Sequence, residues 1–208
     1  MLSSTLRVAG AALLCLAVAG CSSTASRSTS ADSGLVHSTA YAPVEEATGQ
    51  SRIDKPYFIS FRARNALSYG HSFVVFGKLD ANGRVPYDAN GVLIPSMTEV
   101  AGLHPASTSN VPYTIGHVLP VPSETGPSDG DTERAYMTAE WTVPLTASQY
   151  QDVVAHIRDL QGSSPLWHAV AYNCSSFVGD IAKHMGYRVP NHMLFPQTYV
   201  EELKAMNT

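Results

Sequence analysis

Cysteine is nearly absent from this chain: three among 208 residues, at positions 15, 21 and 174. Basic clusters are missing too. The net charge is −4 with signs mixed along the chain, so nucleic-acid binding has no electrostatic footprint. There is no HExxH and no close Cys/His spacing; His117, His168, His184 and His192 are scattered, and no zinc or other metal site is implied. A Gly-rich phosphate loop and a GxSxG elbow are likewise lacking, and no cofactor is expected. No internal repeat is visible, and beyond the N-terminus no apolar run is long enough to span a membrane.

The first twenty residues account for two of the cysteines. A short n-region with Arg7 precedes an apolar stretch from Val8 to Ala19, too short for a membrane span and of the form of a signal-peptide core. It ends in Leu16-Ala17-Val18-Ala19-Gly20-Cys21, which resembles a bacterial lipobox. The resemblance implies removal of residues 1–20 with Cys15, acylation of Cys21, and attachment to a membrane through the N-terminal lipid. Ser22 after the lipidated position resembles outer-membrane lipoproteins of Gram-negative bacteria and implies a periplasm-facing location. An ordinary cleaved signal that leaves a free Cys21 is the alternative. Residues 21–54 are rich in Ser, Thr and Ala and are expected to form a flexible tether. Residues 55–208 are then the domain, long enough to build a core without metal or disulfide staples.

In an oxidising compartment paired cysteines form disulfides, but Cys174 has no intramolecular partner left in the lipidated monomer. It sits in Tyr172-Asn173-Cys174-Ser175-Ser176-Phe177-Val178, where a short extended segment, Leu166–Tyr172, is expected to hand over to a helix. Helix N-terminal N–H groups and the macrodipole favour thiolate there. That helix carries Phe177, Val178, Ile181, Ala182 and Met185 on one face and ends at Gly186. Upstream, Gly70 breaks the chain before a β-branched and aromatic strand that opens with His71. Strands are expected also at Tyr57–Ala63, Glu99–His104 and Arg134–Val143. Thr146 and Gln149 form a capping box ahead of a helix with Tyr150, Val153, Val154, Ile157 and Leu160 at helical spacing. A last short helix is expected over Gln197–Ala205. The Pro-, Ser- and Gly-rich stretch 105–132 is either a segment that lines a site or moves over it as a lid, or disorder.

A thiol and an imidazole, each at an element terminus, suggest nucleophilic chemistry. The bland readings are a buried structural cysteine, a histidine that is merely polar at a strand entrance, and Asn173 as no more than a helix cap. The order of a strand-opening histidine, a long insert and Asn173-Cys174-x-x-Phe177-Val178 resembles the circularly permuted NlpC/P60-like cysteine hydrolases. This papain-like branch includes the lecithin:retinol acyltransferase-like proteins. The resemblance covers roughly residues 57–204. It implies an α+β fold with an antiparallel sheet packed against the helix that carries the cysteine, Cys174 as nucleophile and His71 as base. The family's third, orienting residue comes from the strand after the histidine strand. Antiparallel pairing of Glu99–His104 with His71–Gly77 brings His104 beside His71, with Glu99 and Asp80 as further candidates. Resemblance and compartment together imply an envelope thiol hydrolase. Its expected substrate is an amide in peptidoglycan peptides. A lipid or acyl-ester substrate and a non-catalytic role in binding wall fragments or a protein partner are the alternatives.

Overall fold

The antiparallel sheet is built from runs of β-branched and aromatic residues that can be buried on both faces. A computed structural model describes residues 54–208 apart from 67, 108 and 164. The signal peptide, Cys21 and most of the expected tether lie outside the described residues. Strands β1 (Tyr57–Arg64), β2 (His71–Lys78), β3 (Thr98–Ala101) and β6 (Met137–Leu145) form one sheet in the order β3-β2-β1-β6, all antiparallel. A two-stranded ribbon, β4 (His104–Pro105) with β5 (Ser123–Glu124), stands apart from it. The helices are α1 (Asn110–Ile115), α2 (Ala147–Gly162), α3 (Cys174–His184) and α4 (Pro196–Ala205). The protein is therefore α+β, as expected.

Side-chain alternation divides the sheet into two buried faces. Ile59, Phe61, Val74 and Phe76 point to the side covered by the helices and join Phe177, Val178, Ile181, Val200 and Leu203 in one core. Phe58, Phe73 and Val75 point to the other side, where Leu93 and its neighbours cover them. Full burial of a side chain such as Phe177 or Ile181 contributes roughly 1.5–3 kcal/mol relative to exposure, so α3 is held on β2 by its apolar face. The capping box of Thr146 and Gln149 opens α2 as the sequence predicts, and Gly186, at φ +82°, ends the turn after α3.

Three segments differ from, or decide between, the expectations. Leu166–Tyr172 is extended only at its bridge residues Trp167, His168 and Tyr172 and forms no strand. Trp167 bridges Val121 and His168 bridges Tyr172, but the chain turns between them, with the Val170 and Ala171 N–H groups donating to Nδ1 of His168. Those donors are consumed by a side chain and cannot join a ladder. The stretch 105–132 contains α1 and β5 and is ordered structure rather than disorder among its described residues. Glu99–His104 pairs only in part: Val74–Gly77 of β2 takes up Thr98–Ala101, and His104 leaves for the ribbon.

The turn into β2 sets the position of His71. Gly70 has φ +84° and donates its N–H to Ala66 O at 2.8 Å; a Cβ there would lie 2.9 Å from the Arg64 carbonyl oxygen. An L-residue at such a φ costs about 1–2 kcal/mol, and the contact with backbone adds to it. Gly70→Ala is therefore expected to lower unfolding stability by at least about 1–2 kcal/mol in a denaturant titration.

Candidate active site

Helix α3 begins where β2 begins, and this brings together residues more than a hundred positions apart. Ser72 Oγ on β2 and Ser175 Oγ on α3 are 3.0 Å apart and buried, a direct tie between the two elements. Asn173 is the N-cap. Its side-chain oxygen accepts from the Ser176 N–H, and Ser176 Oγ accepts the Asn173 N–H in return. Beyond capping, its Nδ2 donates to Ala169 O at 2.9 Å and to His192 O at 3.2 Å. One amide thus joins the helix start to the loops on either side of it. Tyr172 adds a second clamp by donating its hydroxyl to Asp180 Oδ2 at 2.8 Å.

Cys174, the first residue of α3, is a half-buried free thiol. Its side chain faces His71, whose imidazole acts on it together with the Ser72 hydroxyl and backbone. Burial alone would push the thiol pKa up. The His71 hydrogen bond and charge, with the Ser72 contacts, outweigh that and bring it down to about 7. His71 shows the reciprocal effect. Loss of solvent disfavours its cation, but the Cys174 hydrogen bond and the Asp131 carboxylate prevail and raise its pKa. Each shift moves its group toward the charged form, and thiolate is the form that attacks carbonyl carbon.

Of the residues expected at the site, Cys174 and His71 are in contact, and His104 is their neighbour. The His71 and His104 rings meet edge to face, 6.2 Å between centroids. His104 Nδ1 lies 3.1 Å from Pro105 O, and its Nε2 is buried without a hydrogen-bond partner. The other two candidates are elsewhere. Glu99 pairs opposite Phe76 in the sheet and forms an ion pair with Arg158. Asp80 Oδ1 accepts the Asn82 and Arg84 N–H groups of its own turn. His168 is spent in the turn before the helix.

The residue not anticipated is Asp131. It is fully buried, and its Oδ2 is 3.7 Å from His71 Nε2. Two signals point to it in retrospect: Ser128-Asp129-Gly130-Asp131 is turn chemistry inside the long irregular stretch, and Arg64 is a charge at the end of an apolar strand.

In front of the thiol lies a cleft of about 320 Å³. Its walls are Tyr69, Tyr113, His117, Trp167 and the segment His192–Pro196. Tyr113 stacks on Trp167 with centroids 5.4 Å apart, and Tyr69 stacks on Phe195 at 5.9 Å. The Tyr113 phenol is raised in pKa by burial and by its neighbours Tyr69 and Cys174, so it remains a neutral hydroxyl. Gly116 permits the close seat of α1 on Trp167, since a Cβ would fall 2.2 Å from the indole ring. Among the described residues no Asp, Glu, Lys or Arg lines this cleft. No group of three or more His, Cys, Asp or Glu residues suited to a metal ion occurs among the described residues either.

Comparison with protein-family models, curated proteins and solved structures gives no match to this chain.

The paired titration has a measurable consequence. Alkylation of Cys174 by iodoacetamide is expected to rise with pH around 7, below the usual free-thiol value of about 8.5. In His71→Ala the rise should move to higher pH, because the groups that favour thiolate lose their largest member. A wild-type profile centred near the free-thiol value would contradict the charge-separated pair.

Proposed function

We propose that this protein is a papain-like cysteine hydrolase of the circularly permuted NlpC/P60-like type, carried to the cell envelope by lipid on Cys21. The observation that supports the chemistry is the contact of the Cys174 thiol with His71 at the start of a capped helix, open to a cleft. The Cys174 thiolate attacks the acyl carbon and forms a tetrahedral oxyanion. The N–H of Cys174 at the helix start is its donor, since the Ser176 and Phe177 N–H groups are already taken by Asn173. Collapse expels the amine or alcohol, which takes the proton from His71, and leaves a thioester on Cys174. Water then gives its proton to His71 and adds to the thioester. The carboxylic acid leaves and the thiolate–imidazolium pair is restored.

Compartment and resemblance suggest a peptidoglycan amide as the substrate. The walls of the cleft favour a different acyl group. Stem peptides carry carboxylates and amines, and among the described residues no Asp, Glu, Lys or Arg lines the cleft to receive them. Large apolar side chains are instead exposed in its lining: Tyr69, Val170, Met193, Leu194 and Phe195. Exposed apolar surface gathered at one mouth is a mark of an apolar ligand or surface. An ester or amide of an apolar acyl chain is the substrate class that this lining fits best.

Side-by-side assays separate the two substrates. Long-chain acyl esters and mixed phospholipid vesicles should be hydrolysed, with activity abolished in Cys174→Ala and purified sacculi releasing no muropeptide. Phe195→Asp is expected to lower kcat/KM for a long-chain ester about tenfold, a loss of roughly 1.4 kcal/mol of apolar contact, while sparing an acetyl ester. Muropeptide release that depends on Cys174, with esters untouched, would return the substrate to the cell wall.

A further inference from the structure

We propose that Asp131, fixed by Arg64 and Ser128, is the residue that positions the His71 imidazole, in place of the His104 that strand order suggests. The assignment rests on the reading of Cys174 and His71 as nucleophile and base. A histidine base needs a group that holds its ring and its proton on the side away from the nucleophile. His71 Nε2 is buried and lacks a hydrogen-bond partner, so whatever approaches it decides the orientation of the ring. The Asp131 carboxylate is the anion that approaches, at 3.7 Å, about half an ångström beyond hydrogen-bond range.

The carboxylate is itself held in place. Oδ1 accepts from Arg64 Nε. Oδ2 accepts the Ser128 N–H at 2.7 Å and the Ser128 hydroxyl at 3.0 Å. Arg64 Nη2 donates to Ser128 Oγ at 2.8 Å, and Nη1 donates to Asn65 O at 2.9 Å. Two glycines make the approach possible. Gly130, at φ +89°, lets the turn fold over the Arg64 guanidinium. Gly102 keeps open the space beside the ring, because a Cβ there would lie 2.9 Å from His71 Nε2.

The charged and titratable groups that face His71 are Cys174, Asp131, Arg64 and His104. Asp131 raises the His71 pKa and Arg64 lowers it, so the ion pair acts on the ring as a directed dipole rather than as a bare charge. The His104 ring presents its edge at 6.2 Å and, when neutral, carries no charge with which to stabilise an imidazolium. A salt bridge that only fastened the 126–133 turn to β1 would explain Arg64 and Ser128. It would not explain why a carboxylate oxygen stands 3.7 Å from Nε2 of His71.

The test is the pH profile of Cys174 alkylation in the full chain, compared among wild type, Asp131→Asn, Arg64→Met/Asp131→Asn and His104→Gln. The double variant removes both buried charges, so that a folded protein is retained where Asp131→Asn alone leaves the guanidinium unpaired. Folding is checked by circular dichroism. Both Asp131 variants are expected to move the midpoint upward by about one pH unit and to lower kcat with KM within about twofold, and His104→Gln is expected to leave the midpoint in place. A folded double variant with the wild-type midpoint overturns the assignment, and a shift confined to His104→Gln transfers the role to His104. A wild-type midpoint at the free-thiol value, indifferent to residue 71, overturns the hydrolase reading itself.

Discussion

A thiolate in a half-buried setting is stable only if something offsets its lost hydration, and the site is organised around that requirement. Desolvation works against charge on both Cys174 and His71. Each recovers it from the other, at a contact formed where the start of α3 meets the start of β2. The tie between Ser72 and Ser175 fixes that meeting point from the core side. Asn173 fixes it from the solvent side by joining the helix cap to two loops. Gly70 delivers the strand at the angle that places His71, and Gly102 leaves its far side clear. These residues are distant in sequence and share one effect, which is to hold two groups in register so that proton transfer between them needs no rearrangement.

The elements that carry this register were readable where local chemistry announces itself. The capping box at Thr146, the helical spacing behind it, and the β-branched run after Gly70 each have a physical signature that tertiary contacts reinforce. Cys174 and His71 were readable for the same reason, since both stand at element boundaries flanked by strong apolar patterns. Leu166–Tyr172 reads as extended because its apolar content suits a strand, and periodicity does not show that His168 captures the N–H groups of the following turn.

Asp131 was invisible for a different reason. Its role depends on a pairing with Arg64 across 67 positions, and nothing local distinguishes it from Asp129 two residues earlier. A buried ion pair is a tertiary fact, and the sequence hints at it only through turn chemistry at 128–131 and a charge where an apolar strand should have none. Arg62 on the same strand follows the same rule: it is fully buried and satisfied by Ser60, Tyr87 and Glu140. Position along the chain led to the neighbourhood of His104, yet the carboxylate beside His71 belongs to a segment whose composition suggested a lining, a moving cover or disorder.

Helix α1 buries none of its six residues. It leans on the cleft through the rings of Tyr113 and, just beyond its end, His117, both in contact with Trp167, while the thiol and imidazole stand on the sheet and on a helix anchored in the core. The two jobs of the site are therefore housed in parts of very different robustness. Substitutions on α1 can reshape what the cleft admits with little penalty to folding, whereas Cys174 and His71 sit where the core fixes them. If the pair is catalytic as proposed, such a division would let the preferred ligand change without rebuilding the chemistry, and it locates the freedom to diverge in a single turn and a half of helix.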